Sequence, residues 1–153
     1  MEQKILLVDD QPANLVSLEA ILDGQGATLI KANSGPQALK VLLKEDVSLV
    51  LLDVQMPGMD GFEVADLMHQ RKDTQNIPII FVTAISKEKK YVFKGYKAGA
   101  VDYLFKPLDP VILQSKVKFF LQLDAQRREL QEKLREAQAY RAAYEAEKLK
   151  RNT

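Results

Sequence analysis

Leu49-Val50-Leu51-Leu52-Asp53-Val54-Gln55-Met56-Pro57-Gly58-Met59-Asp60-Gly61 is the stretch whose reading decides the fold. Residues 48–52 read as a continuous buried run, the pattern of a central parallel strand covered on both faces. The run closes on Asp53. The Pro, Gly and Asp residues of 57–61 then supply turn chemistry before a helix from about Phe62 to Arg71.

The same design repeats on either side. Residues 4–8 read as a buried strand ending in Asp9 and Asp10, followed by a helix over 12–23 with Leu15, Leu18, Ile21 and Leu22 on one stripe. Gly24 and Gly26 stop that helix. Thr28 to Ala32 is a short strand, Asn33-Ser34-Gly35-Pro36 a turn and helix start, and Ala38, Leu39, Leu42 and Leu43 the next apolar stripe. Strand 77–82 ends at Thr83, a helix is expected near 88–98, strand 101–105 ends at Lys106-Pro107, and a last helix begins near 110. Strict alternation of strand and helix predicts a parallel α/β sheet with right-handed crossovers and helices on both faces. In such a sheet the C-terminal strand ends share one rim, where ligands bind. Three carboxylates, one hydroxyl and one ammonium are therefore expected in one pocket, a site for a divalent cation and a phosphoryl group.

Composition narrows the class. The chain has 153 residues, a net charge of +1 and no cysteine. Near-neutral charge gives no argument for nucleic acid or an anionic membrane as partner, and neither is expected. Without cysteine there are no disulfides, thiolate nucleophiles or Cys-based metal sites. The N-terminal apolar run is short and ends in two aspartates, unlike a signal-peptide core, and no stretch approaches the roughly 18 apolar residues of a membrane span. A soluble, cytoplasmic protein is expected.

The tail differs from the rest. After Pro110 there is no Gly or Pro, and good helix formers dominate 111–151, so one long helix is predicted. Its first part is expected to pack on the sheet through Val111, Ile112, Val117 and Phe120 or Leu121. Beyond it, Leu123, Leu130, Ala137 and Tyr144 recur every seven residues beside Phe120, Arg127, Leu134, Arg141 and Lys148. That is a coiled-coil seam with one apolar and one largely basic edge. Residues 1–122 are read as one domain and 123–153 as a helical segment for dimerisation, or a linker to an output domain.

Like charges about 4 Å apart repel by roughly 4 kcal/mol at an effective dielectric near 20, so the carboxylates need Lys106 and a hard cation. Mg²⁺ or Mn²⁺ takes one or two carboxylates plus a phosphate oxygen. Asp10 and Asp53 are the expected direct ligands, Asp9 acts directly or through water, and the Gln55 backbone carbonyl adds another. Asp53 ends the central strand, flanked by the other two, and a carboxylate is a competent phosphoryl acceptor. Thr83 and backbone N–H groups near Ala84 would help neutralise the phosphoryl oxygens.

Together Val8-Asp9-Asp10, the Leu51 to Gly61 stretch, Val82-Thr83-Ala84, Gly99-Ala100 and Asp102-Tyr103-Leu104-Phe105-Lys106-Pro107 resemble the receiver domain of bacterial two-component response regulators. The resemblance covers about residues 3–122 and is of the chemotaxis-regulator kind. It implies a flavodoxin-like (βα)5 doubly wound sheet of strand order 2-1-3-4-5. Asp53 would then be the phosphoacceptor, served by a phosphohistidine on a sensor histidine kinase or phosphotransfer protein. Asp9 and Asp10 match the acidic pair that holds Mg²⁺, and Lys106 the lysine that contacts the phosphoryl oxygens, with a cis bond before Pro107. Thr83 matches the switch hydroxyl and Tyr103 the aromatic that turns inward behind it. Such a domain is a signalling phosphoacceptor rather than an enzyme on other substrates. A second reading makes the chain chiefly a coiled-coil dimerisation module, with the receiver as input to a missing effector such as a diguanylate cyclase or kinase.

Competing patterns fit less well. A haloacid-dehalogenase-type phosphatase needs Asp-x-Asp, and Gln55 stands at the second acidic place. A flavodoxin needs a Ser/Thr-rich phosphate loop where Asp9-Asp10-Gln11-Pro12 stands. His69 is read as solvated, Met56 and Met59 as loop packing, and Lys87, Lys89, Lys90, Lys94 and Lys97 as a solvated helix face.

Overall fold

The computed structural model describes residues 2–84 and 102–152. It forms two compact units, residues 1–121 and 122–153. In the first, five strands make one parallel sheet: β1 (Lys4–Val8), β2 (Thr28–Ala32), β3 (Leu49–Asp53), β4 (Ile79–Thr83) and β5 (Asp102–Phe105). Their order is β2-β1-β3-β4-β5, the flavodoxin-like arrangement that the resemblance implies. The described helices are α1 (Pro12–Leu22), α2 (Gly35–Lys44), α3 (Gly61–His69) and α4 (Pro110–Arg151). The helix expected near 88–98, its lysine run and Gly99-Ala100 lie outside the described residues.

Continuous apolar runs place β1, β3 and β4 in the middle of the sheet, and both faces are covered. One face carries Leu6, Val8, Val50, Leu52, Ile79 and Phe81 against α2 and α3. The other carries Ile5, Leu7, Leu49, Leu51, Ile80 and Val82 against α1 and the start of α4. Register between neighbours is strict, with Val8 beside Leu52 and Asp53 beside Val82. The acidic end of β3 therefore lies level with the ends of its neighbours. Local signals set the helix limits. Ser34 and Asp60 accept from the N–H groups of Gln37 and Glu63 as N-caps, and Gly24 and Gly26 adopt positive φ after α1.

Two side-chain expectations need correction. Val111 and Ile112 are exposed, at 70% and 49%, and α4 packs instead through Leu113, Val117 and Leu121. Those three are spaced i, i+4, i+8 and form one stripe, while Val111 and Ile112 in the first turn fall off it. Gln114 reinforces the seating by donating to the Ile21 carbonyl. Leu43, placed on the α2 stripe, is also exposed, because Ala38 and Leu42 are the positions buried there.

In the second unit α4 is helical to Arg151, and Leu130, Leu134, Tyr140, Tyr144 and Leu149 are exposed. Asp124 accepts from Arg127 and Arg128 along the same helix.

The α4 packing stripe makes a direct prediction. Leu113→Ala should lower unfolding free energy by about 2–4 kcal/mol, and Val111→Ala by no more than about 0.5 kcal/mol, in urea denaturation.

Candidate functional site

At the C-terminal rim, the ends of two neighbouring strands, β1 and β3, bring three acidic residues together. Asp9 follows β1, Asp53 closes β3, and Asp10 extends the β1 end into the next bend. One carboxylate oxygen from each of Asp9, Asp10 and Asp53 lies within 4.8 Å of the others. Asp9 and Asp53 are buried and Asp10 is half-buried. Lys106, just past β5, reaches back between them: its Nζ stands 3.1 Å from Asp9 Oδ2 and 3.9 Å from Asp53 Oδ1. The Lys106-Pro107 bond is cis. A cleft of about 280 Å³ lies alongside, lined by Asp9, Asn14, Leu18, Val82, Lys106 and Pro107.

Asp9 is the most constrained of the three. Its Oδ1 accepts from the Gln11 N–H (2.9 Å) and from Asn14 Nδ2 (3.3 Å), while Oδ2 accepts from Lys106. Asn14 belongs to no recognisable motif; only its place in the first turn of α1, five residues beyond Asp9, connects it to the rim. Asp10 makes no hydrogen bond or ion pair among the described residues. Thr83 ends β4, buried and beside Phe105 in register, and its carbonyl accepts from the Lys106 N–H at 2.9 Å. Ala84 follows it and is exposed, as is Gln55 in the loop after Asp53. Tyr103 is buried behind this rim. Its ring lies 5.3 Å from that of Phe81 and 5.9 Å from that of Phe105, and Phe81 also meets Phe62 at 5.0 Å.

The loop that carries the chain from Asp53 to α3 is tightly closed. Gly61 N–H donates to the Val54 carbonyl, Met56 is buried, and Gly58 adopts a φ of 75°. His69 is exposed at the far end of α3.

The electrostatics follow from the crowding. The Asp53 carboxyl is pushed up from 3.8 to about 6, first by burial. Lys106 pulls it back down, and Asp9 and Asp10 raise it further. The donor set is all oxygen, with no sulfur or imidazole, which suits a small hard cation rather than a soft metal. A cation there would offset the repulsion that one ammonium leaves in place.

The match to known proteins is consistent along the chain. Residues 5–118 fit the family model for the response regulator receiver domain. The chain belongs to that family. It is 38% identical over 118 residues to the response regulator PleD of Caulobacter vibrioides, covering 77% of this chain and 26% of PleD. It is 35% identical over 118 residues to Protein PilH of Pseudomonas aeruginosa, covering 77% of this chain and 97% of PilH. The chain thus spans about a quarter of one relative and nearly all of the other. Among solved structures, a CheY-like response regulator receiver from Methanospirillum hungatei superposes with a TM-score of 0.76 at 28% identity, over 83% of this chain and 99% of that one. A response regulator structure from Chloroflexus aurantiacus gives 0.74 at 34% identity, over 80% and 99%. Receiver domains are phosphoacceptor signalling domains of two-component systems. They bind Mg²⁺ through acidic residues and take phosphoryl groups from histidine kinases or phosphotransfer proteins.

The raised Asp53 carboxyl sets a pH dependence. Between about pH 4 and 6 the folded chain holds a proton that the unfolded chain has released, so this group favours folding at low pH. Its contribution falls as pH rises through 6. In metal-free buffer Asp53→Asn should therefore stabilise the protein at pH 7 by on the order of 2 kcal/mol. The gain should shrink to nothing as pH is lowered towards 4, as read from thermal melts.

Proposed function

We propose that this receiver accepts a phosphoryl group on Asp53 in a Mg²⁺-dependent reaction. The supporting observation is the rim geometry: three carboxylates within 4.8 Å, with one ammonium bridging Asp9 and Asp53. Asp10 and Asp53 would hold Mg²⁺ (or Mn²⁺), Asp9 would act directly or through water, and the Gln55 carbonyl would complete the protein's share. Bound there, the cation would neutralise phosphoryl oxygens during transfer.

The remaining steps fall to the chain. An Asp53 carboxylate oxygen attacks phosphorus, the N–P bond of the donor phosphohistidine breaks, and the imidazole keeps its electron pair and takes up a proton. A carboxyl at about 6 is mostly ionised at neutral pH and remains a good nucleophile. Lys106 follows the charge from the carboxylate to the phosphoryl oxygens, and Thr83 and the Ala84 N–H contact those oxygens on the other side. Thr83 and Tyr103 form the switch: drawing the hydroxyl inward favours the buried ring position and so selects one packing of the surface built on β5. The chain acts on itself and is not an enzyme with a separate substrate.

Domains follow as residues 1–122 for phosphoryl acceptance and 123–153 for dimerisation. Exposed Leu130, Leu134 and Tyr144 on one seam support a homodimer through the helix. No nucleic acid or membrane contact enters this reading, and the site is cytoplasmic. The alternative, in which the helix chiefly dimerises and the receiver regulates an effector such as a diguanylate cyclase or kinase, is compatible with the quarter-length match to PleD.

Incubation with Mg²⁺ and acetyl phosphate should add one phosphoryl group by mass to the wild type and none to Asp53→Ala. Equal labelling of both would reject the assignment. A chain ended at Gln126 should sediment as a monomer where the full chain sediments as a dimer; a monomer in both cases removes the coiled-coil proposal.

A further inference from the structure

The first turn of α3 rests on the backbone of the last residue of β3. A Cβ built on Gly61 would stand 2.3 Å from the Asp53 carbonyl oxygen, 2.9 Å from Val54 Cα and 3.0 Å from the Asp53 carbonyl carbon. All three are backbone atoms, which cannot rotate aside. The Gly61 N–H donates to the Val54 carbonyl at 2.9 Å and binds the same two segments together. Gly61 does not have a positive φ. Glycine is required here by close approach and not by turn geometry.

Gly35 offers a matched comparison. It opens α2 as Gly61 opens α3, each directly after a capping side chain. A Cβ there would also be crowded, at 2.8–2.9 Å, but by the Sδ, Cβ and Cγ atoms of Met59. Met59 is half-buried and can turn.

We propose that Gly61 is a positioning residue for Asp53. Its missing side chain lets α3 seat on the Asp53 carbonyl, and that seat sets where the Asp53 carboxylate stands relative to Asp9, Asp10 and Lys106. This rests on the phosphoacceptor reading above. Any side chain at 61 would force α3 and the end of β3 apart by about an ångström to reach ordinary contact. The Asp53 carboxylate is 3.9 Å from the Lys106 ammonium, so a shift of that size is about a quarter of the distance it must hold. Misplacement by about 1 Å at a reacting centre can slow a reaction roughly a hundred-fold.

The test uses the full chain as wild type, Gly61→Ala, Gly35→Ala and Asp53→Ala. Three quantities are read: thermal midpoint, Mg²⁺ affinity by titration calorimetry, and the initial rate of labelling by acetyl phosphate. Gly61→Ala should fold, because alanine is the better helix former and the strain is local. Its Mg²⁺ affinity and labelling rate should each fall by roughly ten- to a hundred-fold. Gly35→Ala should stay within about two-fold of wild type in both. A folded Gly61→Ala with wild-type affinity and rate overturns the proposal. So does an equal loss in Gly35→Ala, which would make the effect one of loop packing in general. A Gly61→Ala chain that stays unfolded, even with trimethylamine N-oxide to favour compaction, overturns it as well by making the glycine purely structural. Failure of the wild type to bind Mg²⁺ or to be labelled would instead sink the phosphoacceptor reading.

Discussion

Everything at the rim depends on one unequal charge balance. Among the described residues, three carboxylates lie within 4.8 Å and one ammonium, that of Lys106, bridges two of them. At such distances each like-charged pair repels by roughly 4 kcal/mol at an effective dielectric near 20. The protein tolerates this by holding Asp9 with three donors, and burial raises the Asp53 carboxyl to about 6 without neutralising it at pH 7. Neither device removes the excess negative charge. The proposed cation and phosphoryl group would supply chemistry that fits this excess.

The sheet makes that imbalance possible. Parallel strands buried on both faces supply a rigid platform, and their common direction puts every C-terminal end on one side. Side chains separated by nearly the whole receiver, such as Asp9 and Lys106, then meet across about 3 Å. Behind them the ring series Phe62, Phe81, Tyr103 and Phe105 runs from the start of α3 to the end of β5. Packing of this kind is bistable more readily than it is deformable, which suits the proposed switch.

Much of this was legible in the sequence, for reasons that particular residues show. The runs ending at Val8, Leu52 and Val82 are continuous because both their faces are buried, and each is followed directly by a polar residue. Topology then converts strand ends into a site. The helical tail was equally plain, since 111–151 lacks every residue that stops a helix. Finer geometry was not legible. Val111 and Ile112 are as apolar as Leu113, and only the rotation of α4 decides which is buried. Asn14 has no feature of its own that marks it; its role appears once α1 is seen to start beside Asp9. Gly61 reads as turn chemistry, and only the built backbone shows that its Cβ has nowhere to go.

The central claim, that this acidic cluster binds a divalent cation, is tested most directly by the thermal midpoint as a function of Mg²⁺ concentration. Binding to the folded state alone stabilises by RT ln(1 + [L]/Kd), about 2.7 kcal/mol at a hundred-fold excess over Kd. The account predicts a midpoint that climbs with Mg²⁺ in the wild type and stays level in Asp10→Asn. A wild-type midpoint indifferent to Mg²⁺, or one that climbs equally in Asp10→Asn, would contradict it.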